Sequence, residues 1–204
     1  MNTVICISRQ FASGGHKVGE ILSKKFNIPL YNSTIITECV KKSDINEALI
    51  ESHDESAKHS LLYSIAMGYF GNHYIEAPGD TVFNAQADVI RGFAEKGACI
   101  IIGLCAGEIL ADYPPDNLNV RSIFIYADMD FRQKRAMGRF ECDAEKAKRI
   151  LKQKDRERAA YHARYTDDKW GTISNYDLAV STSSCGINGA VEVISTFIEQ
   201  CEKI

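Results

Sequence analysis

The 204-residue sequence has no excess of charge of either sign. Its 24 Lys and Arg against 27 Asp and Glu leave a net charge of -3, a field too weak to point to nucleic acid or to an anionic membrane as partner. No uninterrupted apolar stretch approaches the roughly 20 residues that a membrane helix needs. Met1-Asn2-Thr3 runs straight into an apolar segment without a basic leader, so the expectation is a cytoplasmic chain, neither secreted nor membrane-inserted. The seven cysteines, Cys6, Cys39, Cys99, Cys105, Cys142, Cys185 and Cys201, are odd in number and never spaced C-x-x-C. That excludes the usual zinc and dithiol motifs and fits reduced thiols. Repeats, low-complexity tracts and long linkers are lacking too, so nothing divides the chain into independent domains.

What is present is 45% hydrophobic content, enough to bury the core of one compact α/β domain. Val4-Ile5-Cys6-Ile7 is wholly apolar, the pattern of a parallel strand covered on both faces. Val18, Ile21, Leu22 and Phe26 then fall at helical spacing, and Asn27-Ile28-Pro29 closes that helix. A polar, helical stretch from Ile35 to about Phe70 ends at Gly68, Gly71 and Pro78-Gly79 and reads as an insertion. Further buried strands are expected at Ala98–Gly103, Arg121–Tyr126 and Tyr176–Ser181, with helices at Asp130–Phe140 and Asp143–Tyr161. A closing helix carries Ile187, Val191, Ile194 and Ile198 on one stripe. Strands alternating with helices predict a three-layer α/β/α fold with a central parallel sheet, whose ligands bind beyond the carboxyl ends of the strands. The predicted core covers about 1–42, 81–128 and 172–204, interrupted by a helical insertion about 43–80 and a basic helical segment about 129–171.

The Ser8–Gly15 turn lies at such a strand end. A loop that cradles phosphate needs backbone N–H groups turned inward, which glycine permits, and a helix N-terminus whose partial positive charge attracts the anion. Ser13-Gly14-Gly15-His16-Lys17-Val18 supplies both. Against the pattern G-x-x-x-x-G-K-[ST], Ser8 replaces the first glycine and Gly15 fills the lysine position, while Lys17 or Val18 lies near the place of the metal-binding hydroxyl. His16 and Lys17 are the nearest side chains that reach back to phosphate. A plain strand-to-helix turn remains the alternative.

The segment Ser8-Arg9-Gln10-Phe11-Ala12-Ser13-Gly14-Gly15-His16-Lys17-Val18-Gly19 resembles the opening of the cytidylate kinase-like P-loop proteins, nucleoside monophosphate kinases in type. The likeness continues in Asn27–Tyr31, Gly97–Gly103, Lys154–Ala159 and Ser174–Leu178, nearly the whole chain. It implies a P-loop NTPase fold, ATP as phosphoryl donor with Mg2+, and a nucleoside monophosphate such as CMP as acceptor. Where members of the family usually read G-R-C-A, this chain has Gly103-Leu104-Cys105-Ala106, without the arginine that helps hold the acceptor.

Twelve of the 24 Lys and Arg residues lie between Arg132 and Arg164. Arg149, Lys152 and Arg156 recur at spacings of three and four, where like charges repel by a few tenths of a kcal/mol, a conflict that a bound polyanion removes. By the same resemblance, Asp155-Arg156-Glu157-Arg158 reaches phosphate, with Arg132 and Arg135 at the base of the lid. The expected catalytic set is Lys17, Arg132, Arg135 and Arg156, with Arg9, Lys152, Asp155 and Arg158 on the substrate. A solvated face paired with Glu141, Glu145 and Glu157 is the alternative. Tyr161, Tyr165 and Trp170 read as packing residues before base-stacking ones, Asp128 and Asp130 as helix caps before metal ligands, and His53, His59, His73 and His162 as surface residues. Expected partners are nucleotides, in a monomer or homodimer; a noncatalytic nucleotide-binding protein and metal-free group transfer are the competing functions.

Overall fold

The computed structural model describes residues 1–42, 78–112 and 119–203. Val4, Ile5, Cys6 and Ile7 are almost completely buried, because their strand, β1 (Thr3–Arg9), is the middle one of five. The others are β2 (Leu30–Asn32), β3 (Ile100–Ile102), β4 (Asn119–Tyr126) and β5 (Leu178–Ser181), in the all-parallel order β2-β3-β1-β4-β5. Register sets the two faces. Ile5 lies opposite Ile100, and Ile7 opposite both Ile102 and Ile123. Alternation along a strand sends these isoleucines to one side, where they pack with Val18 and Leu22 of α1 (Gly15–Phe26) and Ala190, Val191, Ile194 and Ile198 of α7 (Thr182–Cys201). Val4, Cys6, Cys99 and Ile101 face the other way. They meet α2 (Ser33–Lys42), α3 (Pro78–Ala94) and α4 (Ala106–Asp112) through Ile36, Ile90, Phe93, Ile109 and Leu110. The expected three-layer architecture is the one observed.

Gly19 lets α1 lie close on the sheet: a Cβ there would stand 2.7 Å from Ile102 Cδ1. Ile101, wholly buried at the centre of β3, makes this core testable. Ile101→Ala is expected to lower the unfolding free energy by about 2–5 kcal/mol, read as a lower urea midpoint at unchanged m value.

The segment expected as a lid forms the pair α5 (Met129–Phe140) and α6 (Ala144–Tyr165). Asp128 caps α5, accepting from Phe131 N at 2.7 Å, and Asp143 caps α6, accepting from Lys146 N at 2.7 Å. A small core of Ala136, Ala147 and Leu151 holds the pair together and receives Phe11 from the loop after β1.

One expectation about elements changes. Pro78 begins α3 rather than ending a helix, which is physically sound because the first helical turn has no N–H acceptor for proline to forfeit. The three-residue β2 and the seven-residue α4 are too short to show a period of their own. Most of the insertion expected over 43–80 lies outside the described residues.

Candidate functional site

β1 ends at Arg9 and α1 begins at Gly15, and the turn between them is built from its own backbone. Gln10 N donates to Ile125 O at 3.0 Å, and the Gln10 side chain accepts from Ala127 N at 3.1 Å. The buried Ser13 hydroxyl lies 2.9 Å from Gln10 O and 3.1 Å from Ile125 O, while Ser13 O accepts from Thr182 Oγ1 at 2.5 Å. Ala12 and Gly14 take positive φ, 60° and 91°, and Gly14 caps α1 without a side-chain bond. The first amide of α1 with a helical acceptor is Val18, bonded to Gly14 O at 3.0 Å. The N–H groups of Gly15, His16 and Lys17 therefore have no acceptor in the helix and none elsewhere among the described residues. Three unpaired donors at a helix start can take an anion by dipole and geometry together.

The lid closes against this turn from the other side. Arg135 Nε donates to Ala12 O at 3.0 Å, and its guanidinium carbon stands 3.9 Å from where a Gly14 Cβ would be. Arg132 is buried and ion-paired with Asp155, whose other oxygen accepts from Phe11 N at 2.7 Å. Arg158 Nη1 donates to Arg9 O at 2.7 Å, and its guanidinium lies over the Phe11 ring, 5.3 Å from the centroid. Asp155, Arg158 and His162 share one face of α6 at helical spacing. Arg149, Lys152 and Arg156 share another, exposed one, where they make no ion pair with any described residue.

Beside the turn, at the carboxyl ends of β1 and β3, opens a cavity of about 250 Å3. That is near the lower end of the ordinary ligand-pocket range of roughly 300–1,000 Å3. Its wall includes Arg9, Lys154 and Arg158, the hydroxyls of Ser33, Thr34 and Thr37, and the apolar Leu104 and Cys105. Gly103 shapes it: with φ +83, it leaves the place of a Cβ to the Arg9 guanidinium. Leu104 and Cys105 continue in the left-handed region, at φ 57° and 53°, each at a backbone cost of about 1–3 kcal/mol. Burial pushes the Cys105 thiol well up, and the charge of Glu108 adds to it, so this cysteine is no nucleophile at neutral pH.

Glu108 and His162 also line the cavity. His162 is buried, which corrects the expectation of a surface residue. Its Nε2 lies 2.9 Å from Glu108 Oε1, and its Nδ1 lies 3.0 Å from Asp168 O and 2.7 Å from Thr166 Oγ1. Thr166 Oγ1 also lies 2.9 Å from His162 O, so the ring is held at both nitrogens, with the Glu108 carboxylate favouring its positive charge. Burial opposes that charge, but the Glu108 carboxylate and the Asp168 carbonyl outweigh it and raise the pKa above its usual value.

The structure thus brings Arg9, Ser13, Gly14, Gly15, Arg132, Arg135, Asp155 and Arg158 together around one turn. It sets the others elsewhere. His16 and Lys17 keep their amides at the turn, but their side chains run along the outside of α1 to Glu20, at 3.3 and 2.9 Å. Val18 spends its N–H on Gly14 and its side chain in the core, so it has no donor left for an anion. Tyr165 stacks on Phe83, with centroids 3.9 Å apart, and Trp170 meets Phe124 edge-on. Both pack as expected, although Trp170 and Tyr161 also line the cavity. Glu108, Gln86 and the α2 hydroxyls went unread in the sequence. The one signal for Glu108 was its place just past the end of a predicted strand.

Metal ligation finds little support in these side chains. Among the described residues no group of three or more His, Cys, Asp or Glu is placed to hold an ion. The Ser13 hydroxyl is turned to backbone carbonyls, and the Asp128 side chain is committed to Phe131 N. The described residues do not form a cage for Mg2+. No described helix is long and apolar enough to cross a membrane.

Comparison with known structures finds an uncharacterized protein from Eubacterium ventriosum ATCC 27560 at 29% identity and TM-score 0.74, covering 97% of this chain and 98% of that one. A shikimate kinase from Bacteroides thetaiotaomicron has the same fold at 10% identity and TM-score 0.56, covering 97% and 98%. A Thermus thermophilus protein, TT1252, shares it at 11% and 0.58, covering 95% and 96%. Curated protein sequences give no match. The model of the cytidylate kinase-like family matches residues 4–184, and on that span, with the P-loop turn and parallel sheet described above, the chain belongs to the cytidylate kinase-like family.

Proposed function

We propose that this protein transfers the γ-phosphoryl group of ATP to a small acceptor held in the cavity, most simply a pyrimidine nucleoside monophosphate such as CMP. The observation that carries the proposal is the adjacency of two sites. The unpartnered amides of Gly15, His16 and Lys17 face Arg135 on one side of Arg9, and the cavity bearing Arg9, Lys154 and Arg158 opens on the other. The donor's phosphates would lie on the α1 amides, with Arg135 neutralising charge as the bond from the γ-phosphorus to the β–γ bridging oxygen breaks. The acceptor's oxygen would form the new bond in line, and ADP would leave. Positioning and positive charge are the greater part of what phosphoryl transfer asks of a protein.

Purified protein incubated with ATP, Mg2+ and a panel of nucleoside monophosphates is expected to release ADP with at least one of them. Absence of ADP formation across the panel, with ATP bound, would sink the proposal. It would instead support a noncatalytic nucleotide-binding protein, a reading favoured by Lys17 pairing with Glu20 and by Asp155 occupying the Phe11 amide. Turnover that persists in chelator would indicate group transfer without metal.

A further inference from the structure

Among the described residues lining the cavity, the basic Arg9, Lys154, Arg158 and His162 stand against a single carboxylate, Glu108. An isolated acid in a cationic pocket is a poor neighbour for an anion unless it has a task, because it repels the group that the arginines attract. Two features show that Glu108 is held for one. Its Oε1 lies 2.9 Å from His162 Nε2, and that ring is fixed at its other nitrogen by Asp168 O and Thr166 Oγ1. Its Oε2 makes no hydrogen bond with any described residue, although the side chain is only 27% exposed. A buttressed carboxylate with one open oxygen is an acceptor waiting for a donor. Tyr176 also lines the cavity, and Ser33, Thr34 and Thr37 add further polar groups across it.

We propose that Glu108, positioned by His162, determines acceptor specificity by accepting a hydrogen bond from an amino or hydroxyl group of the acceptor, whose anionic group lies with Arg9, Lys154 and Arg158. The proposal rests on the cavity being the acceptor site. It accounts for the pocket's mixed lining: basic side chains for the anion, and one carboxyl group for a donor on the far part of the same small molecule. A site built to take a donor discriminates strongly against an analogue that presents a carbonyl there, since both oxygens would then stand unpaired and repelling.

The test is calorimetric binding to wild type, Glu108→Gln, His162→Gln and His162→Leu, with CMP, UMP, ribose 5-phosphate and ADP as probes. CMP and UMP carry an amino group and a carbonyl at the same ring position, and ribose 5-phosphate carries hydroxyls without a base. Wild type is expected to bind CMP at least 10-fold more tightly than UMP if the donor is amino, or to bind all three alike if it is a sugar hydroxyl. Glu108→Gln should weaken the donor-bearing probes roughly 10–100-fold and leave ADP unchanged. His162→Gln, which keeps a donor toward Glu108, should retain most of the affinity. His162→Leu should lose it with ADP binding intact, a split that mere destabilisation would not produce. Wild-type affinities preserved in Glu108→Gln would overturn this proposal alone. Failure of wild type to bind any of the three phosphate acceptors would overturn both it and the acceptor-site reading.

Discussion

Arg135→Ala is expected to lower the rate of ADP formation by roughly 10²–10³-fold, the usual cost of removing one preorganised donor from a developing anion. The melting temperature should move little, since the exposed Arg135 makes one hydrogen bond, to Ala12 O. Its guanidinium is the lid cation that stands at Gly14, beside the unpartnered amides of α1, and it reaches that place from a rigid, capped helix. Lys17→Ala and Arg156→Ala supply the contrast. Lys17 is engaged with Glu20 and Arg156 faces away from the turn, so each should change turnover by less than about tenfold, a loss of about 1.4 kcal/mol or less in transition-state stabilisation. A large loss in Arg156→Ala with none in Arg135→Ala would reverse the assignment.

A second large effect concerns stability rather than rate. In Arg132→Ala, Asp155 keeps its bond from Phe11 N but loses the guanidinium that balances its charge in a site where it is only 19% exposed. Breaking a buried pair from one side typically costs about 3–5 kcal/mol, and urea unfolding should show a loss of that size. Arg132→Met combined with Asp155→Leu removes both charges at similar volume and should cost much less, because most of the single-variant penalty is the stranded ion. Equal losses in the single and double variants would mean that the pair matters for its shape and not its charge.

Much of the fold was legible because the strongest signals coincide with the deepest burial. The run Val4–Ile7 and the isoleucines of β3 read as strands covered on both faces, and they are the centre of the sheet. Helix starts were legible where an acid caps them, as at Asp128 and Asp143. The phosphate turn was legible from Gly14 and Gly15. What the residues did not disclose was direction. Arg132, Arg135 and Arg156 are chemically alike in sequence, yet helical phase buries the first in an ion pair, sets the second at the turn and turns the third to solvent. The burial of His162 was hidden for a similar reason: its partners Glu108 and Asp168 lie on α4 and beyond α6, so no local spacing announces them.

The central position of β1 carries a consequence for how the polypeptide is made. Its neighbours on either side are β3 and β4, both encoded far downstream, so β1 is made well before the strands that enclose it. At about 5–20 residues per second, the interval between the emergence of Arg9 and that of Ile102 is roughly 5–19 s. Throughout it the apolar ribbon Val4–Ile7 has no sheet to join, and a nascent fragment stopped before β3 should remain a client of chaperones rather than a folded half.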